Sequence, residues 1–136
     1  YKAHTMTDSN GLVVSMDVTP ARVHNTVMFP DLIDKAQLSE GDTVYADKGY
    51  HSEQNKEILE RRNLIDRIMH KRKRNEPGNE TIVNRNKSIS RRCYVVERTF
   101  GSLKRRYGWG RTRYIRLPKI TFYLKMRCLT FNIKRA

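Results

Sequence analysis

A chain of 136 residues, 38% hydrophobic and 31% charged, is sized for one domain with a real core and a heavily charged exterior. No apolar run nears the roughly 20 residues that a membrane-crossing helix requires, and no signal peptide is visible, which excludes a membrane-spanning helix. The net charge of +14 is unevenly placed: residues 1–66 hold 7 basic and 11 acidic side chains, residues 67–136 hold 21 and 3.

The basic half points to a polyanionic partner, because each Lys or Arg that neutralises a phosphate releases counterions. Composition alone leaves DNA, RNA and an acidic membrane face open. Tyr1 begins strand-like sequence with no initiator Met, so the chain is expected to be a cut from a larger protein.

In chain order, Tyr1–Thr7 and Leu12–Val18 read as strands, joined by Asp8-Ser9-Asn10-Gly11, whose Asn and Gly tolerate positive φ. Thr19-Pro20 breaks the second strand. Val27, Met28, Leu32, Ile33 and Ala36 recur at helical spacing, predicting a helix over 25–36 with Pro30 in its first turns. Glu40-Gly41-Asp42 is a turn, and Thr43–Ala46 a short strand of β-formers ending at Asp47. After Lys48-Gly49-Tyr50, Ser52 can cap a helix over 53–62, and a strand follows near 64–69. Residues 70–90 are polar, open with the Lys71–Arg74 run, and read as an exposed, mobile loop. Arg91 to about Tyr107 is predicted helical, with Val96, Phe100, Leu103 and Tyr107 on one face. Gly108-Trp109-Gly110 ends it, and Pro118 opens a last helix reaching about Lys134. This order predicts an α/β fold, without internal repeats.

Cys93 and Cys128 have no second ligand pair near them, so they are expected as reduced thiols rather than a zinc site. His4, His24, His51 and His70 show no ligand spacing and are expected in loops or on the surface. Trp109 sits between glycines among Arg105, Arg106, Arg111 and Arg113. It could stack on an unpaired base or plug the junction of two helices. The Lys71–Arg74 run adds at most unspecific phosphate affinity.

Two acids stand apart. Asp47 lies at the carboxyl end of a strand before a Gly turn, where α/β proteins place ligands, and an ionised carboxylate there can hold Mg²⁺. Its bland alternatives are shaping the turn or pairing with Lys48. Glu97 is the only acid from Thr81 to the C-terminus, and its bland alternative is a salt bridge. Lys104 follows Glu97 by seven residues, two turns on, with Gly101 between them leaving that face uncluttered.

Tyr45-Ala46-Asp47-Lys48-Gly49-Tyr50 resembles the motif around the second catalytic Asp of bacterial insertion-sequence DDE transposases. Val96-Glu97-Arg98 with Phe100-Gly101-Ser102-Leu103-Lys104-Arg105 is similar to the motif around their catalytic Glu, including its Lys seven residues on. Thr19-Pro20-Ala21-Arg22-Val23-His24 looks like the step after the family's third strand, and Leu129-Thr130-Phe131-Asn132 like its closing helix. The resemblance runs through essentially the whole chain, in register.

It implies a ribonuclease-H-like mixed sheet flanked by helices, in which two Asp and one Glu hold two Mg²⁺ (or Mn²⁺) ions for phosphoryl transfer on DNA. Asp47 would be the second acid and Glu97 the third, both as metal ligands and catalytic residues. Lys104 would grip a phosphate, with Lys48, Arg91, Arg92, Arg98, Arg105 and Trp109 as further DNA contacts. The family's first Asp lies on a strand that precedes Tyr1; Asp8 belongs to the hairpin turn and Asp17 to a strand end, and neither replaces it. That strand is central, so this single partial catalytic domain is expected to be unstable or to pair its remaining strands across the gap. Cys93 stands where the family often has Arg, four residues before the Glu, with Arg91 and Arg92 nearby.

The implied partners are DNA, both element ends and target, with no membrane, a cytoplasmic location and a homodimer of the full-length protein on paired ends. Two other classes stay open: a basic nucleic-acid-binding remnant without chemistry, and a nuclease of the same fold.

Overall fold

The computed structural model describes residues 1–136 except Lys73, Asn75, Glu76, Arg111 and Thr112. Part of the Lys71–Arg74 run, and Arg111 beside Trp109, thus lie outside the described residues.

Strands β1 (Lys2–Thr7) and β2 (Val13–Thr19) form an antiparallel hairpin, with Lys2 opposite Thr19 and a register shift between Met6 and Thr7. The turn is organised by Asp8, whose Oδ1 accepts from the backbone N–H of Asn10 at 2.9 Å and of Leu12 at 2.8 Å. Gly11 closes it at φ +82°, a conformation costly for residues with a Cβ. A Cβ at Gly11 would also meet Thr99 Oγ1 at 3.0 Å.

Helix α1 (Asn25–Ala36) packs Phe29 and Ile33 against β3 (Thr43–Ala46), α2 (Glu53–Arg61) and β4 (Ile65–Ile68). Strands β3 and β4 are parallel, Thr43 opposite Ile65 and Ala46 opposite Ile68, as a strand–helix–strand crossover dictates. Ser52 caps α2 by accepting from the Asn55 N–H at 3.1 Å. The long helix α3 (Glu80–Arg106) and the final helix α4 (Leu117–Arg135) complete the fold.

The predicted mixed α/β class and order of elements match the structure, but two expectations need correction. Among the described residues the strands form two separate two-stranded sheets, not one mixed sheet. β1 and β3 do not pair with each other; residues of both line one cleft. Second, the polar stretch 80–90 is not loop but the first three turns of α3. Asn79 caps it, accepting from the Thr81 N–H at 2.9 Å, and Glu80 lies in the positive first turn. Two of its polar side chains bind the backbone of β4 and of His70 just beyond it. Arg85 donates to the Ile68 carbonyl at 2.9 Å, and Asn86 bonds both the N–H and the C=O of His70, at 2.9 and 3.0 Å.

Among the described residues there are two apolar clusters. One joins Met16 and Val18 of β2 to Leu103 of α3 and Ile120, Leu124, Cys128 and Phe131 of α4. The other holds Phe29, Ile33, Val44, Leu59, Leu64 and Ile68. α3 crosses both regions. Thr99 donates to the Gly11 carbonyl at 2.8 Å, fixing the hairpin turn to α3. Asn132 fixes α4 to β2, accepting from the Val13 N–H at 2.9 Å and donating to the Val13 C=O at 2.8 Å.

Candidate active site

Asp47 is the N-cap of a 3₁₀ turn, Lys48–Tyr50, directly after β3. Its Oδ1 accepts from the Gly49 N–H, which engages one carboxylate oxygen and fixes the direction of the other. Gly49 suits this turn because a Cβ there would lie 2.9 Å from Asp47 Oδ1 and 3.1 Å from Asn25 Nδ2.

Tyr50 anchors the turn from behind. Its hydroxyl lies 3.3 Å from His4 Nδ1, and its carbonyl accepts from Asn55 Nδ2 at 2.8 Å. His4 Nε2 lies 2.9 Å from Thr19 Oγ1, so the histidine links both hairpin strands to the Asp47 turn. Burial, then the Asp47 charge, pushes the Tyr50 phenol up to about 12. Burial, followed by the Lys2 charge, holds His4 below its ordinary value against the upward pull of Asp17.

This chain of contacts was missed in the sequence, where His4 was expected on the surface; it is 2% exposed. Its place at an inward position of a strand, opposite Asp17, was the available signal. His51 and His70 also meet, their rings 4.7 Å apart edge to face, while His24 is exposed.

Glu97 and Asp47 line the same cleft, between β1, β3, α1 and the middle of α3, with a volume of about 1120 Å³. Burial first, then the charges of Asp47 and Glu97, pushes the Cys93 thiol up to about 11. Among the described residues Glu97 forms no salt bridge, nor does Asp47 with Lys48. Asp47 does shape its turn.

Arg92, Lys104 and Trp109 also line the cleft. Lys48, Arg91, Arg98 and Arg105 are exposed outside its lining. Arg91, Arg98 and Arg105 recur every seventh residue and form a basic stripe along α3 beside the Glu97–Lys104 row. Trp109 is a packing residue, edge to face with Phe100 at 5.5 Å and set against the first apolar cluster. Its Nε1 is buried and has no hydrogen-bond partner among the described residues.

Two carboxylates over one cleft suit Mg²⁺, which takes oxygen ligands and keeps several waters. Among the described residues no group of three or more His, Cys, Asp or Glu comes together.

The model of the family described as "Transposase DDE domain" matches residues 1–133. The chain belongs to that family. Along its whole length this DDE-domain chain is 39% identical to a transposase for insertion sequence element IS1106 of Neisseria meningitidis serogroup B, of which it spans 46%. No solved structure matches it. No helix among its described residues is long and apolar enough to cross a membrane.

Proposed function

We propose that this chain is the later part of a transposase catalytic domain of ribonuclease-H-like fold, which cuts DNA at element ends and joins them to a target. The observation that carries the reading is the single cleft lined by Asp47, Glu97, Arg92 and Lys104. Asp47 and Glu97 would hold Mg²⁺ or Mn²⁺, which when bound polarises a scissile phosphate and assists the attacking and leaving oxygens. Lys104 and Arg92 neutralise phosphate oxygens beside the acids. The Arg91, Arg98 and Arg105 stripe, with the exposed Lys48, holds the duplex by its backbone and so without sequence preference.

The groove between the free edges of β1 and β3 is the place for a strand carrying the missing first acid. In that reading the chain alone binds DNA and does not cut it. The whole protein works in the cytoplasm, as a homodimer when two ends are paired.

The test combines metal binding with cleavage. Mn²⁺ titration followed by paramagnetic resonance is expected to show one weak site, and Asp47→Asn or Glu97→Gln is expected to weaken it by at least the roughly 10–100-fold typical of lost outer-shell partners. Nicking is expected only when the upstream strand is restored, and strand transfer then separates a transposase from a nuclease of the same fold. Metal binding indifferent to both substitutions would leave a basic DNA-binding module without chemistry. Robust cleavage by this chain alone, lost in Asp47→Asn, would refute the requirement for a further acid.

A further inference from the structure

Tyr50 ends the turn that carries Asp47, and it is held from two sides. Its carbonyl accepts from Asn55 Nδ2 of α2 at 2.8 Å, and its ring centre lies 6.0 Å from that of Phe29 in α1. Its hydroxyl reaches the other way, 3.3 Å from His4 Nδ1 in β1. His4 Nε2 in turn lies 2.9 Å from Thr19 Oγ1 in β2. The tie between the hairpin and the Asp47 turn thus runs through both nitrogens of one buried imidazole.

A neutral imidazole has one nitrogen that donates and one that accepts. Between two hydroxyls it is fully satisfied, because one hydroxyl donates to it and the other accepts from it. The phenol is the stronger acid of the two, so the Tyr50 O–H donates to Nδ1 and the Nε2–H donates to Thr19. A proton added at Nδ1 makes both nitrogens donors. The Tyr50 hydroxyl must then turn its own proton away, and a buried donor left unpaired is costly.

The charges bearing on His4 are Lys2 on its own strand and Asp17 on β2, itself paired with Lys35 of α1. From α3, Arg92, Glu97 and Lys104 line the cleft that His4 also lines, and the Asp47 charge acts on Tyr50. Burial, then Lys2, holds His4 below its ordinary 6.5, so it is neutral at pH 7 and takes its proton only as pH falls below that value.

We propose that His4 and the Tyr50 hydroxyl are positioning residues for Asp47: neutral His4 holds the Asp47 turn to the hairpin, and a proton on His4 releases it. One carboxylate oxygen of Asp47 is engaged by the Gly49 N–H, so the aim of the other follows the turn. Its consequence rests on the reading of Asp47 as a metal ligand: release of the turn lowers the affinity of the cleft for a divalent cation.

The test uses the whole 136-residue chain and two readouts between about pH 7.5 and 5.5, where histidine titrates. The first needs no metal. In proton–nitrogen magnetic resonance the Gly49 amide is expected to shift with the same midpoint as the His4 ring. Tyr50→Phe keeps the ring on Phe29 and removes the hydroxyl alone. There His4 is expected still to titrate, with Gly49 no longer following and the circular dichroism spectrum unchanged. A Gly49 amide indifferent to His4 in the parent chain, or one that still follows it in Tyr50→Phe, would overturn the proposal. His51 follows the turn and meets His70, which makes that pair the competing sensor. His51→Gln is expected to leave the Gly49 response in place, and its loss there would overturn the proposal in favour of the pair.

The second readout is Mn²⁺ affinity by paramagnetic resonance. It is expected to fall about tenfold across this range in the parent chain, the low end for a lost outer-shell partner. In Tyr50→Phe it is expected to start lower and lose that dependence, a comparison that cancels any protonation of the carboxylates themselves. Equal pH dependence in both chains would overturn the consequence for metal. Should Asp47→Asn leave Mn²⁺ binding unchanged, the metal reading falls, while the Gly49 readout still decides the positioning role.

Discussion

The region around Asp47 and the region around Glu97 reach their geometry in opposite ways. Asp47 is placed locally: β3 ends, a three-residue turn follows, and Gly49, Tyr50 and Asn55 hold it within nine residues of sequence. Glu97 is placed from a distance, by a helix clasped to β4 through Arg85 and Asn86 and to the hairpin turn through Thr99. The first acid depends on the second apolar cluster, whereas the carrier of the other spans both. Local turns are readable from composition; long clasps between polar side chains and distant backbone are not.

The largest expected effect falls on the clusters themselves. Leu103→Ala and Leu59→Ala each remove a fully buried side chain, and each is expected to cost about 2–5 kcal/mol in urea denaturation. Since α3 touches both regions, one cooperative transition is expected in each case. Two separated transitions would break the comparison, making the clusters independent bodies.

Next in size is Thr99→Val, which leaves the buried Gly11 carbonyl without its donor. The expected loss is about 1–3 kcal/mol. The equivalent cut on the other side, Asn55→Ala, removes the donor to the Tyr50 carbonyl and is expected to change Mn²⁺ affinity more than Thr99→Val does, because it loosens the Asp47 turn directly.

His4 gives a smaller, pH-dependent effect. Its folded pKa lies below the ordinary 6.5, so between those values the unfolded chain binds more protons and stability rises with pH. The contribution is complete above about 6.5 and is lost as pH falls through the folded value. Stability measured from pH 7.5 to 5 is expected to decline, and His4→Gln is expected to flatten that slope. His51 is also held low, by burial first and then by Lys56 and His70, so part of the slope is expected to survive in the single variant.

Smallest are the thiols and the surface pairs. Burial pushes Cys128 up to about 12, and Cys93 stands at about 11, so both are expected to resist an aromatic disulfide reagent at pH 8 in the folded chain. Rapid labelling of Cys93 alone would mean that the cleft opens readily. Arg61→Ala, which removes an exposed pair with Glu57 at 3.3 Å, is expected to change stability by less than about 1 kcal/mol.

Much of this was legible in advance. The hairpin followed from Asp8-Ser9-Asn10-Gly11, and Asp47 from its place at a strand end. What escaped was non-local. Residues 80–90 carry few apolar side chains, so periodicity gave no helix there. Arg85 and Asn86 spend their donors on β4 backbone, a use invisible without the partner strand. Similarly, a lone His in a strand carries no mark of the Tyr50 hydroxyl 46 residues away. The separation into two sheets depends on which strands find partners, a property of the whole chain.

A helix of 27 residues is a rod of about 40 Å, latched near one end to β4 and further along to the hairpin. Sliding it by a single turn, about 5.4 Å, would break both latches together. It therefore works as a bolt rather than a hinge: thermal agitation can bend or fray it, but shifting Glu97 lengthwise requires both latches to release at once.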